Sequence, residues 1–487
     1  MNFSWLTLTY YAYWLLLIYV TLQIIHQYTI SSRASAWLFT VYVFPVVGLV
    51  LYFIFGVKRR KRKMYAVKLT ENQKFLEAYQ ARFSAESLRV MQQHQQQLKQ
   101  FHGLTQMIYH DGCSRLTVKN KLTLLQNGEE KFPQLFQDIE RAERTIHLEY
   151  YIFKADDIGS ELIQRLIKKA KSGVQVRFIY DDYGSLSLPG QVLKRMRAAG
   201  IEAHPFAEIK WFAFTERLNY RNHRKIVVID GCVAYVGGIN VGDEYNNTGG
   251  IDPLYWRDTH LRIEGQGAAY LQNIFLNDWN FCAGQNLEIE DELLPKGIEN
   301  LSEDEYTMMQ VVASGPDSPQ PSILFSILHA IHTAERTILI TTPYFIPNPA
   351  LIKALKMAVL RGVAVRVLVP NHSDSKVVNA AAQSFYYELM LVGVSVYKYT
   401  KGFLHAKTMV VDDFLSVLGT ANFDERSFEL NFEVNVMIYD EAMATKLSDT
   451  FEHDLDGAKQ LSVDAWEQRS VVKVFIEKLA RLISPIL

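Results

Sequence analysis

Cysteine is scarce in this chain, and its few cysteines are not arranged to bind metal or to pair. The 487 residues include three, Cys113, Cys232 and Cys282, which are widely spaced and form no CxxC pair. An odd number at such spacing predicts buried, reduced thiols rather than disulfides or zinc ligands. No other cluster of side chains has the spacing of metal ligands, so we expect neither a metal nor a cofactor.

An excess of positive charge is also missing. Lysine and arginine number 51 and aspartate and glutamate 52, which gives a formal net charge of −1. Six of the basic residues form one run, KRRKRK at 58–63, and the remainder of the chain carries −7 without it. A protein that binds nucleic acid is expected to show the opposite bias. We therefore expect no nucleic-acid partner.

Charge is wholly absent from two segments near the N-terminus, residues 5–25 and 37–57. Each has 21 residues, enough to cross a hydrocarbon core of about 30 Å. A signal peptide is the alternative for the first segment, because residues 34–36 resemble a cleavage site. That segment lacks a basic start and its apolar part is too long. We therefore predict two membrane helices, followed by the basic run 58–63 on the cytoplasmic side. That run either also attracts anionic lipid or is a topology signal without lipid selectivity.

One short pattern occurs twice in the rest of the chain. The first copy reads HRKIVVID at 223–230, with GGIN at 237–240, and the second reads HAKTMVVD at 405–412, with GTAN at 419–422. Equivalent residues of the two copies are 182 positions apart throughout. Two sets in register predict a duplicated unit whose halves face each other across one site.

The residues of this pattern suit chemistry on a phosphate diester. The runs IVVI and TMVV are typical of buried strands, in which residues two apart project together, so His and Lys of each copy share a side. One imidazole can attack phosphorus while the other protonates the departing alkoxide, and lysine and carboxamide groups stabilise the phosphorane. The candidate catalytic residues are His223, Lys225, Asp230, His405, Lys407 and Asp412, with Asn240 and Asn422 as phosphate ligands.

Two further carboxylates follow the motifs at equivalent places. The segments WRDTHLRIEG and NFEVNVMIYD alternate as strands do, and they contain Asp258 and Glu433. We predict that each accepts a hydrogen bond from the histidine of its own lobe, which would fix the ring tautomer and raise its basicity. The alternative in the first half is Asp252, whose distance from His223 is closer to that between His405 and Glu433.

The repeat extends beyond the motifs, because AERTIHLEYYIF at 142–153 matches AERTILITTPYF at 334–345. Each copy continues with a helical pattern and another strand, which predicts α/β lobes with central β-sheets flanked by helices. The predicted organisation is a two-helix membrane anchor over 1–63, a helical connector over 64–104, a first lobe over 105–293 and a second over 301–487.

The paired HxKx4D and GxxN motifs resemble those of the phospholipase D superfamily. Within it, the two apolar segments, NHRKIVVIDG, WRDTHLRIEG, TTPYFIP and GTANFDERSFELNFE make nearly the whole chain similar to the bacterial cardiolipin synthases. One departure is Gly238, which stands where the family's first motif often has serine. The resemblance implies two pseudo-symmetric phospholipase D-type lobes, and an enzyme of the bacterial cytoplasmic (inner) membrane with its lobes facing the cytoplasm.

The resemblance also implies a reaction. One phosphatidylglycerol would give a phosphatidyl-histidine and glycerol, and the hydroxyl of a second would take the phosphatidyl group to give cardiolipin. By family analogy His223 is the nucleophile and His405 the general acid and then base, but the pseudo-symmetry leaves the reverse assignment open. Phospholipase D-type hydrolysis and phosphatidylserine synthesis need the same residues and differ only in the acceptor. A noncatalytic lipid-binding protein with a relic site is a third hypothesis, which the completeness of both motifs opposes.

For two segments the sequence allows more than one environment. The aromatic stretch IKWFAF at 209–214 either dips into lipid beside the site or forms a buried strand or helix. The C-terminal SVVKVFIEKLARLISPIL, 470–487, has apolar residues at helical spacing. It either packs against its own lobe or lies on the bilayer. Phosphatidylglycerol and anionic membrane lipid are the expected partners, and the sequence leaves any protein partner unknown.

Overall fold

The computed structural model describes residues 5–27, 31–56, 87–112, 114–206, 220–247, 254–287 and 306–484. Several sequence predictions concern residues outside these ranges: Cys113, Asp252, the basic run 58–63, most of the connector at 64–86 and the aromatic stretch 209–214. The predicted boundaries of the anchor, connector and lobes therefore remain predictions.

The N-terminal part is helical and apolar. It comprises α1 (Trp5–Gln27), α2 (Ser31–Val43), α3 (Pro45–Leu51) and a π-helical turn, Tyr52–Gly56. Within α1, Thr7–Gln27 has a mean hydropathy of 1.5, and it is the one helix among the described residues that is long and apolar enough to cross a membrane. A single apolar helix of that length is thus present at the N-terminus.

The second predicted span does not form one helix. Phe44 leaves the helical region, with φ −120° and ψ 73°, as expected for a residue that precedes proline. After this break, Gly48 allows α3 to approach α2 closely, because a Cβ there would lie 2.2 Å from the carbonyl oxygen of Thr40. Two membrane helices are therefore not confirmed.

The described part of the connector is also helical and packs on the second lobe. It contains α4 (Gln95–Leu98), a 3-10 turn (Lys99–Phe101) and α5 (His102–His110). The ring of Phe101 stacks on that of Phe414 with centroids 6.1 Å apart. The amide of Gln100 donates to the carboxylate of Asp412 at 2.6 Å.

The first lobe is built on a seven-stranded sheet. In spatial order the strands are β1 (Asn120–Gln126), β8 (Thr259–Gly265), β6 (Val233–Gly237), β5 (Ile226–Ile229), β2 (Thr145–Tyr150), β3 (Gln175–Asp181) and β4 (Glu202–Phe206). β2, β3 and β4 are parallel and the other pairs antiparallel. The helices of this lobe are α6 (Asn127–Arg141), α7 (Asp157–Lys171), α8 (Gly190–Ala198) and α9 (Gln266–Ala283).

The second lobe repeats this topology with one more strand at the edge. The order is β19 (Ala458–Gln460), β13 (Ser395–Tyr399), β12 (Ala364–Pro370), β10 (Thr337–Thr341), β15 (Thr408–Val411), β16 (Leu415–Gly419), β18 (Glu433–Tyr439) and β9 (Met308–Ser314). Its helices are α10 (Ser322–Thr333), α11 (Pro349–Leu360), α12 (Lys376–Met390), α13 (Glu425–Glu429), α14 (Glu441–Leu455), α15 (Val463–Glu467) and α16 (Val471–Ile483). The predicted α/β fold with two pseudo-symmetric sheets is confirmed.

The motif strands lie at the centre of each sheet because their residues are apolar on both faces. All four residues of β5 are buried, as are three of the four in β15, and this burial is the expected environment of a continuous β-branched run. Ile226 and Val228 of the first lobe share one hydrophobic cluster with Val410 and Val436 of the second. The two sheets are thus joined through a common core.

Short strand pairings also cross between the lobes. β7 (Tyr255–Arg257) of the first lobe runs parallel to β14 (Gly402–Leu404) of the second. On the other side, Asn222 forms a parallel bridge with Phe432. A small sheet of β11 (Phe345–Ile346) and β17 (Phe423–Asp424) completes this region within the second lobe. These crossings position the site.

Candidate active site

Both motif histidines line one cavity between the lobes. Its volume is about 580 Å³, and His223, His405, Asn240 and Asn422 all contribute to its wall. The structure therefore brings together the four residues that the constant offset of the repeat placed in one site. Tyr344 of the matched TTPYFIP segment also lines the cavity, with its hydroxyl donating to Asp374 at 2.7 Å.

His223 is held by residues of the other lobe. Its backbone N–H donates to the carbonyl of Phe432 at 3.0 Å, and its Nδ1 donates to the carboxylate of the next residue, Glu433, also at 3.0 Å. Glu433 is completely buried. It accepts further hydrogen bonds from Thr420 Oγ1 at 2.5 Å and from Asn431 Nδ2 at 3.2 Å.

His405 is held in the reciprocal way. Its N–H donates to the carbonyl of Arg257 at 2.7 Å, and its Nδ1 donates to the following residue, Asp258, at 2.7 Å. The structure contains the two predicted carboxylate contacts, but the prediction that each carboxylate serves its own lobe is wrong. The reason is the crossing of backbone segments between lobes, which delivers each acid to the opposite histidine. With Nδ1 engaged in both rings, Nε2 is left for chemistry.

The two carboxylates differ in length, and the motifs compensate for the difference. Gly238 and Thr420 occupy equivalent positions, 182 residues apart. A Cβ on Gly238 would lie 2.1 Å from Oδ1 of Asp258, whereas Thr420 donates its hydroxyl to Glu433. The first motif has no such hydroxyl, and the carboxylate of the shorter Asp258 occupies the space that a side chain at position 238 would need. Its Oδ1 accepts from the N–H of Thr259 at 2.7 Å.

The motif lysines lie beneath the histidines. Lys225 is completely buried, and its Nζ donates to the carbonyl oxygen of His223 at 2.6 Å. Lys407 Nζ donates to the carbonyl of His405 and lies 3.0 Å from the Nδ1 atom of that ring. Neither lysine is among the residues that line the cavity, so each adds positive charge from behind its histidine.

Burial shifts the protonation equilibria of all four groups. Desolvation, reinforced by Lys407, lowers the pKa of His405 to about 4, and desolvation also lowers the pKa of His223. Desolvation lowers the pKa of Lys225 to about 7 and that of Lys407 to about 8. Both imidazoles are accordingly neutral at pH 7 before substrate binds, and Nε2 carries a free lone pair.

The carboxylates stay ionised in spite of their burial. Desolvation by itself would raise the pKa of Asp258, but the charge of Lys407 and the interactions with His405, including its hydrogen bond, outweigh it and the net shift is downward. The pKa of Glu433 is lowered in the same way, since the interaction with His223 outweighs desolvation. Each histidine therefore faces a fixed negative charge, which stabilises its cationic form when one develops.

The two asparagines are held differently. Asn240 Oδ1 accepts from the N–H of Ile152 at 3.1 Å, and its Nδ2 donates to the hydroxyl of Tyr245 at 2.9 Å. In Asn422 the buried Oδ1 has no hydrogen-bond partner among the described residues. Both line the cavity, and their role as phosphate ligands stays a prediction.

The motif aspartates do not lie in the cavity wall, and their prediction as catalytic residues is corrected. Asp230 accepts hydrogen bonds from the N–H groups of Glu143, Arg144 and Thr145 at 2.7 to 2.8 Å. Asp412 accepts from three backbone N–H groups at the start of the second lobe's matching strand. Both have positive φ, 50° and 54°, and follow β5 and β15 at the ends remote from the histidines. They join each motif strand to its neighbour in the sheet.

Sequence reasoning missed the residues that make the two ends of the cavity unequal. Arg221 and Phe403 both line it and stand at equivalent positions, two residues before each histidine. The guanidinium of Arg221 lies 4.1 Å from the ring centroid of Tyr183. Phe403 lies 5.7 Å from the ring of His405 between centroids. The sequence contained a signal for this contrast, because the constant offset of 182 aligns Arg221 with Phe403.

The composition of each end follows from this contrast. The cavity wall carries two arginines, Arg221 and Arg426, and Tyr151, whose ring centroid lies 5.0 Å from that of His223. Near His405 it carries aromatic rings, with Trp256 at 5.4 Å and Tyr245 at 6.5 Å between centroids. Aromatic rings therefore border both histidines, and the charge of Arg221, at the position equivalent to Phe403, distinguishes the end at His223. Among the described residues, no group of three or more His, Cys, Asp or Glu side chains could hold a metal ion.

Comparison with known proteins finds similarity to one family over nearly the whole chain. A family model described as the cardiolipin synthase, phospholipase D-like domain matches residues 135–279 and 327–455. The cardiolipin synthase of Geobacillus sp. is 39% identical over 94% of this chain and 89% of its own length. The major cardiolipin synthase ClsA of Bacillus subtilis is 39% identical over 94% of both chains.

A solved structure resembles the two lobes. The crystal structure of a phosphatidylserine synthase from Haemophilus influenzae matches with a TM-score of 0.58 and 16% sequence identity, over 75% of this chain and 95% of the other. At that identity the likeness concerns the fold alone.

Proposed function

Because the chain belongs to the cardiolipin synthase family of phospholipase D-like proteins, we propose that it is a phosphatidyltransferase that makes cardiolipin and glycerol from two phosphatidylglycerol molecules. The observation that carries the proposal is the pairing of two histidines in one cavity, each backed by a buried carboxylate from the opposite lobe. A two-step transfer needs such a nucleophile and such a proton carrier.

In the first step, Nε2 of His223 attacks the phosphorus of one phosphatidylglycerol. An N–P bond forms, the P–O bond to the glycerol headgroup breaks, and His405 gives the departing oxygen its proton. The anionic phosphate raises the pKa of the nearby imidazoles, which favours the protonated His405 that this step requires. Lys225 and Lys407 stabilise the extra negative charge of the phosphorane.

In the second step, His405 takes a proton from a hydroxyl of the second phosphatidylglycerol. The resulting oxygen nucleophile attacks phosphorus, the N–P bond breaks, and His223 returns to its neutral form. Glu433 stabilises the positive charge that His223 carries in the phosphatidyl intermediate, because its carboxylate lies 3.0 Å from Nδ1. The asymmetry of the cavity supports different roles for its two ends, and mapping the phosphorylated histidine would assign the nucleophile.

Lipid product analysis tests the reaction. Purified protein supplied with phosphatidylglycerol should give cardiolipin and glycerol by mass spectrometry. Phosphatidic acid as the main product would instead indicate hydrolysis, a phosphatidylserine product formed with added serine would indicate another acceptor, and no product would favour a binding protein.

Single and double histidine variants test the shared site. His223→Ala and His405→Ala should each abolish turnover, and the double variant should be no worse than either single one, because residues that act as one unit are not additive. Substantial activity in one single variant would contradict a common site for both histidines.

We further propose that the N-terminal segments cross the bacterial cytoplasmic membrane twice, with both lobes on the cytoplasmic side. The apolar helix α1 supports one crossing, and the apolar stretch 37–57 would supply the other. The basic run 58–63 favours the cytoplasmic side. Labelling of a Lys446→Cys variant by an impermeant thiol reagent should require broken cells, and labelling in intact cells would contradict this orientation.

A further inference from the structure

The C-terminal helix α16 exposes an apolar face in the part of the chain that the structure describes. Between 42% and 84% of each residue on this face is exposed. The face consists of Val471, Val472, Phe475, Ile476, Leu479 and Leu482. Spacings of one, three and four residues place all six on one side of a helix. This arrangement is unusual for a surface helix, whose apolar side normally faces the protein.

The opposite side of α16 is attached to the second lobe by charged groups. Arg481 donates to the carboxylate of Glu388 on α12 at 2.5 Å, and its guanidinium lies 4.2 Å from the ring centroid of Phe385. The buried Glu477 accepts from Arg469 at 2.7 Å. The helix is therefore fixed with its polar contacts inward and its apolar face outward.

α16 stands beside the N-terminal helices, which also expose apolar side chains. α16 contacts α2, and α2 contacts α1, whose Leu15 and Leu22 are more than half exposed. Lys473 and Lys478 are exposed on α16, and on a helical projection they stand on either side of the apolar face. This distribution is typical of a helix that lies in the interface of an anionic bilayer.

The same surface borders the entrance to the active-site cavity. Ser484, the residue after α16, lines that cavity, and so does Val378 in the first turn of α12. Val377, beside it, is 46% exposed. A bilayer in contact with α16 would therefore stand next to the cavity that contains His223 and His405.

We propose that α16 is an interfacial membrane helix, which inserts its apolar face into an anionic lipid bilayer and holds the cavity entrance at the level of the lipid headgroups. This role deepens the proposed function, on which it rests for the membrane-lipid substrate. Phosphodiester groups lie at the headgroup level, so a site at that depth reaches them without pulling a lipid out of the bilayer. The same contact limits the access of water, which competes with the lipid hydroxyl for the phosphatidyl-histidine.

Depth measurement on the full chain tests the proposal without turnover. An environment-sensitive thiol label would be placed through Phe475→Cys, in a protein with its three cysteines replaced by serine, reconstituted in vesicles of phosphatidylglycerol and phosphatidylethanolamine. The matched control is Lys446→Cys on α14, which packs on the other face of the second sheet. We expect a blue-shifted emission that nitroxide lipids quench for the label at 475, and neither effect for the label at 446.

A second variant connects insertion to catalysis. Phe475→Asp combined with Ile476→Asp should lower kcat/KM on vesicles at least about tenfold and leave activity on detergent-dispersed lipid within about twofold. Equal activity of this variant on vesicles, or a solvent-exposed label at 475, would overturn the proposal. A label that is shielded only in a dimer, with the aspartate variant monomeric, would also overturn it by showing that a second copy covers the face. Wild-type protein that inserts at 475 but makes no cardiolipin would refute the proposed function and leave the interfacial helix standing.

Discussion

Replacing Glu433 with glutamine is expected to lower kcat about 10⁴-fold while the fold is kept. The attacking imidazole of His223 acquires positive charge as its Nε2 bonds to phosphorus, and the Glu433 carboxylate lies 3.0 Å from the other ring nitrogen. Two unit charges at that separation attract by about 5.5 kcal/mol at an effective dielectric constant of about 20. Since each 1.36 kcal/mol corresponds to about a tenfold change in rate, loss of the charge gives about 10⁴. Loss of the orienting carboxylate in a catalytic triad has a cost of about this size.

The assay is cardiolipin formation from phosphatidylglycerol in detergent-dispersed lipid, with rates over a range of substrate concentrations. Asp258→Asn is expected to lose about as much as Glu433→Gln, because its carboxylate lies 2.7 Å from Nδ1 of His405. Glu452→Gln is the matched control, because Glu452 pairs with Arg366 and is about half exposed. It should leave kcat unchanged.

Two outcomes would refute this reasoning. A loss of less than about tenfold in Glu433→Gln, with an unchanged melting temperature, would mean that the carboxylate does not stabilise the histidine in the rate-limiting step. An equal loss in the Glu452→Gln control would mean that the assay reports stability rather than chemistry. Thr420→Val provides an intermediate case, since it removes one hydrogen bond to Glu433, and about a tenfold loss is expected for a bond to a charged group.

Three other predictions follow from the site. Gly238→Ala should reduce kcat about 100-fold, because the added Cβ would lie 2.1 Å from Asp258 and displace it by a distance that matters for catalysis; an unchanged kcat would show that the carboxylate can move at no cost. Burial lowers the pKa of Lys225 to about 7, so its charge is lost as the pH rises, and kcat/KM should fall more steeply above about pH 7 than the deprotonation of His405 alone requires. Lys398→Met removes another lysine of lowered pKa, about 8, outside the cavity wall and should leave that pH profile intact. Asp230→Asn should lower the melting temperature, because the free energy of unfolding falls by about 1.5 to 3 kcal/mol, while kcat of the folded protein stays within about threefold. A loss of kcat without a loss of stability would instead support a catalytic role for Asp230.

The chemistry of the site could be predicted from the sequence because it depends on local pattern. A strand period of two puts His and Lys on one side, and a constant offset of 182 between copies predicts two equivalent halves. The pairing of Glu433 with His223 could not be predicted in this way. It depends on Phe432 accepting from the N–H of His223, a contact between segments about 210 residues apart, and hydrophobic periodicity contains no information about which edges of two lobes meet.

The motif aspartates illustrate a second limit. Asp230 recurs at a fixed distance from His223, and position within a motif does not distinguish a catalytic group from one that the fold requires. What separates them is geometric: Asp230 has a φ of 50° and its carboxylate binds three consecutive backbone N–H groups. A turn residue followed by glycine at 231 was the available signal, since DG is typical of turns that need positive φ.

The second apolar segment shows why composition alone does not define a helix. Residues 37–57 are uncharged throughout, which is the property that predicted a span. The same segment contains Pro45, whose ring disfavours helical geometry at Phe44, and the structure breaks there. Apolar character determines where such a segment can lie, whereas backbone hydrogen bonding determines whether it forms one helix.

The crossing of the carboxylates between lobes bears on how two equivalent lobes come to play different roles in one reaction. Because each histidine takes its acid from the opposite lobe, neither lobe contains a complete half-site, and the common core must form before either imidazole is oriented. The lobes depend on each other in this way, yet the residues around the two histidines differ. Gly238 with Asp258 differs from Thr420 with Glu433, yet both sets hold a ring at Nδ1. The equivalent positions at 221 and 403 differ in charge, so the substrate meets two chemically different ends. A reaction with an entering and a leaving group needs this difference, which a perfectly symmetric pair of histidines would lack.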